Sequence, residues 1–394
     1  MHTHARKIVQ GFVHGQLSLI HAARRELWCA AVSAVMGGHW LSLSRLARAL
    51  MGQSTQKAAL KRVDRLMGNP RIGQEAQVVG AALLRTLCRG GQPLVIAVDW
   101  SEVAPDGVFV ELRAVATRTG MGRGLTIYQQ VYPEKKLGNA RAERALLKTL
   151  HGGMPAGVQV IIVTDAGFRR PWFTQVERLG WSWIGRIRAG VCVSRDRTHW
   201  DQASAWFAKA TGKACRWSDC WLTRQFRFAC DMVLYRRRAV GGKRYGRAGH
   251  GSTPKARREA KASAREPWLL AHSPQLRTLR AEEIVALYGL RMQIEENFRD
   301  SKSTPLGMGL EVSQSRSAPR LHALLLIATL AAFLLWHIGQ LAEAEGLHLR
   351  FKATTRVARE LSIITLAKLW CALHSLPLTD AAIQVLNERL GLRT

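Results

Sequence analysis

Two aspartates stand at the ends of short apolar runs that read as β-strands. Asp99 closes Val95-Ile96-Ala97-Val98, and Asp165 closes Val160-Ile161-Ile162-Val163-Thr164. An Asp just past a strand is also an ordinary turn residue, so neither is diagnostic alone. If the two strands are neighbours, however, both side chains reach one edge of a sheet. A third carboxylate, Glu295, falls in residues 281–302, which read as one helix with Pro305 beyond it as a stop signal. At about 100° per residue, Arg291, Glu295 and Lys302 lie roughly −60°, −20° and −40° from Tyr288. One narrow face therefore carries a phenol, a guanidinium, a carboxylate and an ammonium group, where a core helix would carry an apolar stripe. Surface pairing of Arg291 with Glu295 at i, i+4 accounts for only two of the four.

The surrounding pattern is mixed α/β. Residues 1–90 are helical, with helices expected over 20–35, 41–50, 55–67 and 75–88, punctuated by Gly37, Gly38, Gly52 and Asn69-Pro70. On the third of these, Lys57, Lys61 and Arg65 recur at i, i+4 and i+8 with Arg62 beside them. That stripe could lie along a phosphate backbone or simply be a solvated face. From Pro93 the texture is β, with strands at 94–98, 108–116 and 125–132, turns marked by Pro105, Gly107, Gly120, Gly122 and Gly124, a helix at 140–151, a strand at 158–163, a helix at 171–179 and a strand at 181–187. The order β-β-β-α-β-α-β is the pattern an RNase H-like fold would show. Residues 189–275 read as a β-rich insertion with strand-like runs at 191–194, 221–235 and 268–271. Between the last two lies a mobile basic loop running from Arg236 to Arg265. Residues 276–394 return to helices and, with 91–188, would complete the core.

The formal net charge is +30, from 58 Lys and Arg against 28 Asp and Glu. This favours a polyanionic partner, with nucleic acid ahead of a membrane surface. The seven cysteines are scattered and suit a reducing cytosol. Cys215, Cys220 and Cys230 cluster, but at no familiar zinc spacing, so no zinc site is expected. The first residues lack the short apolar core of an export signal. Residues 321–342 lack Lys, Arg, Asp and Glu and are long enough to span a bilayer. With His322, Thr329, His337 and Gln340 inside, the stretch is expected to be a buried core helix rather than a membrane span.

The spacing Tyr288-x2-Arg291-x3-Glu295-x6-Lys302 resembles the signature of the DDE transposases of bacterial cut-and-paste insertion sequences. The resemblance continues in Val98-Asp99-Trp100-Ser101, Thr164-Asp165-Ala166-Gly167-Phe168, Glu266-Pro267-Trp268 and Arg291-Met292-Gln293-Ile294-Glu295-Glu296. It implies an RNase H-like catalytic core, a helical N-terminal domain for DNA ends and a β-rich insertion before the helix of the catalytic Glu. It implies that Asp99, Asp165 and Glu295 hold two Mg2+ ions, with Mn2+ as a substitute, for DNA cleavage and strand transfer. Tyr288, Arg291 and Lys302 would hold phosphates, and Trp268 would stack on a flipped base during hairpin formation. DNA ends and target DNA would be the partners of a homodimeric synaptic complex, in the bacterial cytoplasm and near the nucleoid. The sequence departs from some relatives at Met292, where they carry a second tryptophan. An RNase H-like nuclease without strand transfer and an inactive DNA-binding relative are the alternatives.

Overall fold

The computed structural model describes residues 3–88, 92–103, 107–119, 122–237, 266–355, 359–373 and 378–392. The turn residues Pro105 and Gly120, and the basic loop apart from Arg236 and Arg237, lie outside them. The chain divides into two compact units. One comprises Met1–Leu94, Asp99–Gln159 and Gln293–Thr394, the other Val95–Val98 and Val160–Met292.

The first unit opens with five helices, α1 (Thr3–Gln16), α2 (Ala22–Met36), α3 (Leu43–Ala49), α4 (Gln56–Met67) and α5 (Ile72–Leu87). Ser42 and Thr55 cap α3 and α4, their hydroxyls accepting from the backbone N–H of Arg45 and Ala58. Strands β1 (Leu94–Glu102), β2 (Phe109–Ala116) and β3 (Leu125–Pro133) follow, then α6 (Ala140–Gly153). β2 and β3 pair antiparallel from Phe109 opposite Pro133 to Ala116 opposite Leu125, with a bulge at Ala114/Val115.

The second unit adds β4 (Val160–Thr164), α7 (Arg170–Arg178), β5 (Ser182–Arg186), β6 (Cys192–Ser194), β7 (Asp201–Gln202), α8 (Ala203–Phe207), β8 (Cys215–Leu222), β9 (Phe228–Tyr235), β10 (Trp268–His272) and α9 (Ala281–Gly289). Its strands run β4-β5-β10-β9-β8-β6-β7, with the Val95–Val98 part of β1 beside β4. β4 and β5 are parallel, joined through α7, whereas β10 is antiparallel to both β5 and β9. The described strands of 189–275 thus extend this sheet through β10. One face of it buries Val95, Ile161, Val163, Ile184, Val233 and Leu270 against Ile284 and Tyr288 of α9.

Back in the first unit come α10 (Met292–Lys302), α11 (Ala318–Ala344), α12 (Ile363–Ala372) and α13 (Asp380–Leu390). α11 is the membrane-length helix of the sequence, and 94% of its most apolar stretch is buried. It packs against α2, α4, α5, α12, α13 and β3. Each fully buried leucine on it contributes about 1.5–3 kcal/mol. The α11–α12 approach is close enough that a Cβ at Gly339 would collide with the Ile363 carbonyl oxygen, so only glycine fits there.

Two expectations are corrected. Residues 281–302 are two helices, not one. Leu290 and Arg291 bond back three residues, to the carbonyls of Leu287 (3.1 Å) and Tyr288 (3.0 Å), and this tight turn breaks the common helical phase. The run 221–235 is likewise a hairpin of β8 and β9, turning at Thr223 and Arg227 with φ of 58° and 47°.

Burial also makes α11 acid-sensitive. Desolvation lowers His322 to about 4 and His337 to about 3, with Arg389 and Arg118 adding smaller repulsion at His337. Unfolded histidine titrates near about 6.5, so between that pH and the folded values the unfolded chain binds protons the native one refuses. Stability is therefore lost as pH falls through this window. The melting temperature is expected to drop between about pH 7 and pH 4, and His337→Leu to flatten part of that slope; a slope unchanged by the substitution would exclude His337 as its source.

Candidate active site

In the second unit, Asp165 directly follows β4 and is half-buried. Its Oδ1 accepts the backbone N–H of Gly167 at 2.7 Å, an Asx turn that fixes the carboxylate at the strand end. A Cβ at Gly167 would sit 2.9 Å from that oxygen. Gly167→Ala is therefore expected to push the carboxylate aside. A misplaced supporting group typically costs about 10–100-fold, read here as a fall in DNA cleavage with little change in melting temperature. Unaltered cleavage would show that the Asx turn does not position Asp165.

The same unit holds Tyr288, Arg291 and Trp268. Tyr288 is 3% exposed and belongs to the apolar core beneath the sheet. Burial raises its hydroxyl pKa; Arg291 and Arg186 oppose this, while Asp165 adds to it. The tyrosine is thus a buried group flanked by two guanidiniums and the Asp165 carboxylate. Trp268 is half-buried and meets Tyr288 edge-on at 4.8 Å, so its ring braces the tyrosine. Glu266 pairs with Arg186 at 2.6 Å and ties the start of β10 to β5.

In the first unit, Asp99 lies on β1 beyond its apolar half. Its Oδ1 accepts the Trp100 N–H at 2.8 Å, and the Trp100 indole donates to Glu143 of α6 at 3.3 Å. Glu295 is exposed on α10. What holds α10 in place is a polar face that helical phase alone did not single out. Gln293, Asn297 and Ser301, at i, i+4 and i+8, are all buried. The Gln293 amide accepts from the Arg118 N–H at 2.9 Å and donates to its carbonyl at 2.7 Å. Asn297 Oδ1 accepts from Thr126 at 2.8 Å and from Arg113 at 2.5 Å. Arg113 also donates to Ser301 at 3.2 Å and to Glu111 at 2.8 Å, with Glu111 0% and Arg113 2% exposed.

Lys302 belongs to this network. Its ammonium donates to Ser101 Oγ at 2.7 Å and to the Glu102 carbonyl, and lies 3.9 Å from Glu111. Burial lowers its pKa, while Glu111, Glu102 and Asp99 act in the opposite direction. Lys302 therefore links α10 to β1 close to Asp99. On α4, burial of Ala59, Val63, Leu66 and Met67 leaves Lys57, Lys61, Arg62 and Arg65 exposed on the outer face.

The three expected carboxylates are hard oxygen donors of the kind Mg2+ takes. Among the described residues, no three His, Cys, Asp or Glu side chains are gathered closely enough to hold a metal ion. Cys220 and Cys230 face one another across β8 and β9 as buried thiols.

Against known families, a model described as the transposase DDE domain matches residues 114–334, over half of the sequence. The chain belongs to that family. It is thereby a transposase, an enzyme with DNA as its substrate, in a family that generally uses divalent metal ions. The matched span includes Asp165, Trp268, Tyr288, Arg291, Glu295 and Lys302 and begins after Asp99. A comparison with curated proteins finds no match.

Proposed function

We propose that the chain is a cut-and-paste transposase of an insertion sequence, with an RNase H-like core whose catalytic carboxylates are Asp99, Asp165 and Glu295. The observation that carries this reading is the family match together with one carboxylate on β1 and one directly after β4, each with one oxygen on a backbone N–H. The motifs resemble those of the transposase of the tetracycline-resistance composite transposon. Asp99, Asp165 and Glu295 would hold two Mg2+ ions, or Mn2+ in their place, which would activate water or a 3′-hydroxyl and stabilise the leaving oxygen.

The chain's own groups orient the DNA. Tyr288 and Arg291 would hold phosphates near the cut. Lys302 would hold β1 against α10 and offer its charge to the same backbone. Trp268 would stack on a base displaced during hairpin formation, provided it leaves its contact with Tyr288. Residues 1–90, with Lys57, Lys61, Arg62 and Arg65, would bind the terminal inverted repeats, followed by the core parts 91–188 and 276–394 and the β-rich 189–275. Pairing two ends requires two copies in the synaptic complex, and a bacterial cytoplasmic site at the nucleoid follows from the substrate.

The test incubates the protein and Mg2+ with a duplex bearing the element's own end, beside Asp99→Ala, on a denaturing gel. Hairpins and joined strands that Asp99→Ala does not form are the expected result. Cleavage without joining would make the chain a nuclease, and binding without cleavage in Mg2+ or Mn2+ an inactive relative.

A further inference from the structure

We propose that the outward face of α6 and the turn before it form a second duplex-DNA contact surface, gripping the sugar-phosphate backbone through Lys135, Lys136, Arg141, Arg144 and Lys148. The inference rests on the reading of the chain as a DNA-acting enzyme and assigns to it a surface distinct from α4.

Helix α6 buries Ala142, Glu143, Leu146, Leu147 and Leu150, which fixes the opposite side to face outward. On that side Arg141, Arg144 and Lys148 recur at i, i+3 and i+7 and are all exposed. At 3.6 residues per turn and 1.5 Å per residue they form one narrow stripe about 10 Å long. Lys135 and Lys136, exposed in the short helical turn Glu134–Lys136, extend it at the N-terminal end. Among the described residues no carboxylate forms an ion pair with any of the five. Glu134 is the one acidic side chain in that turn, and Glu143 points inward to Trp100.

Cations on a solvated face normally alternate with acids that offset their repulsion. Here like charges are stacked along one line, which suits a linear polyanion. Lys148 also lines a cleft of about 930 Å³ whose other side is α5, where Gln74 and Gln77 are exposed. Their amides can donate to phosphate oxygens, and Lys148 stands at the junction of stripe and cleft. Contacts of this type position a duplex without reading its sequence, so the surface suits DNA that the enzyme must hold whatever its sequence.

The test measures binding of a duplex unrelated to the element's ends, as a function of salt, for the full chain, for Arg141→Gln/Arg144→Gln/Lys148→Gln, and for Arg141→Lys/Arg144→Lys. Each lost phosphate contact lowers the slope of log K against log[salt] by about 0.9, so the Gln variant is expected to lose between two and three units of slope and about tenfold or more in low-salt affinity. The Lys variant should keep the slope, and equal melting temperatures of all three proteins show that folding is intact. A wild-type chain that binds with strong salt dependence, beside a Gln variant of unchanged slope and affinity, overturns this surface and leaves the proposed function standing. A wild-type chain that binds neither this duplex nor one bearing the element's own end overturns both.

Discussion

Glu295→Gln is expected to lower metal-dependent cleavage of end DNA by roughly a thousand-fold or more, since under the proposed triad it removes one anionic ligand and with it several kcal/mol of stabilisation at the reacting phosphate. The fold should survive. Glu295 is exposed, and Gln293, Asn297 and Ser301 hold α10. Surface changes of this kind usually stay within about 0.5 kcal/mol. A cleavage assay paired with thermal melting separates the outcomes. Activity near wild type in Mg2+ would remove Glu295 from the proposed triad, and a collapsed melting temperature would mean that it serves the fold instead.

The second large effect is on stability. Arg113→Met leaves the fully buried Glu111, among the described residues, with Lys302 alone, 3.9 Å away, and strips the Asn297 carbonyl and side-chain oxygens of their guanidinium donor. Breaking a buried ion pair from one side costs about 3–5 kcal/mol, because the orphaned charge stays desolvated. Urea unfolding should show that loss, and Glu111→Gln in the same chain should recover part of it by removing the stranded charge. A cost below about 1 kcal/mol would mean that the pair is a passive occupant of the core. Because Asn297 sits on α10 two residues from Glu295, cleavage should fall as well.

What sequence could and could not disclose follows from how local each signal is. The strands before Asp99 and Asp165 were legible because short β-branched runs bounded by turn residues have few other uses. α11 was legible because no pattern of exposed charge interrupts it. The break between α9 and α10 was not, since Leu290 and Arg291 are good helix formers and the two i to i+3 bonds are a choice made by tertiary packing. The turn between β8 and β9 escaped for a related reason. Thr223 to Arg227 contains no Gly, Pro, Asn or Asp, yet Thr223 and Arg227 adopt positive φ. On β2, the alternation Val110-Glu111-Leu112-Arg113 reads as a strand with one wet face. Both faces are in fact buried, because α10 covers the polar one, and that depends on residues nearly two hundred positions away. Tyr288 and Lys302 were found by spacing, but their burial and partners were beyond its reach.

The chain order of the first unit sets a timetable for synthesis. Helices α1 to α5 and strands β2 and β3 leave the ribosome before residues 160–292, whereas α11, which packs against α2, α4, α5 and β3, comes only after them. At about 5–20 residues per second, that interruption lasts on the order of ten seconds. Throughout it the nascent N-terminal segment carries apolar surface whose complement has not yet been made. A chain stalled before residue 318 cannot close this core at all, so until α11 emerges the nascent segment offers the exposed apolar surface that chaperones bind.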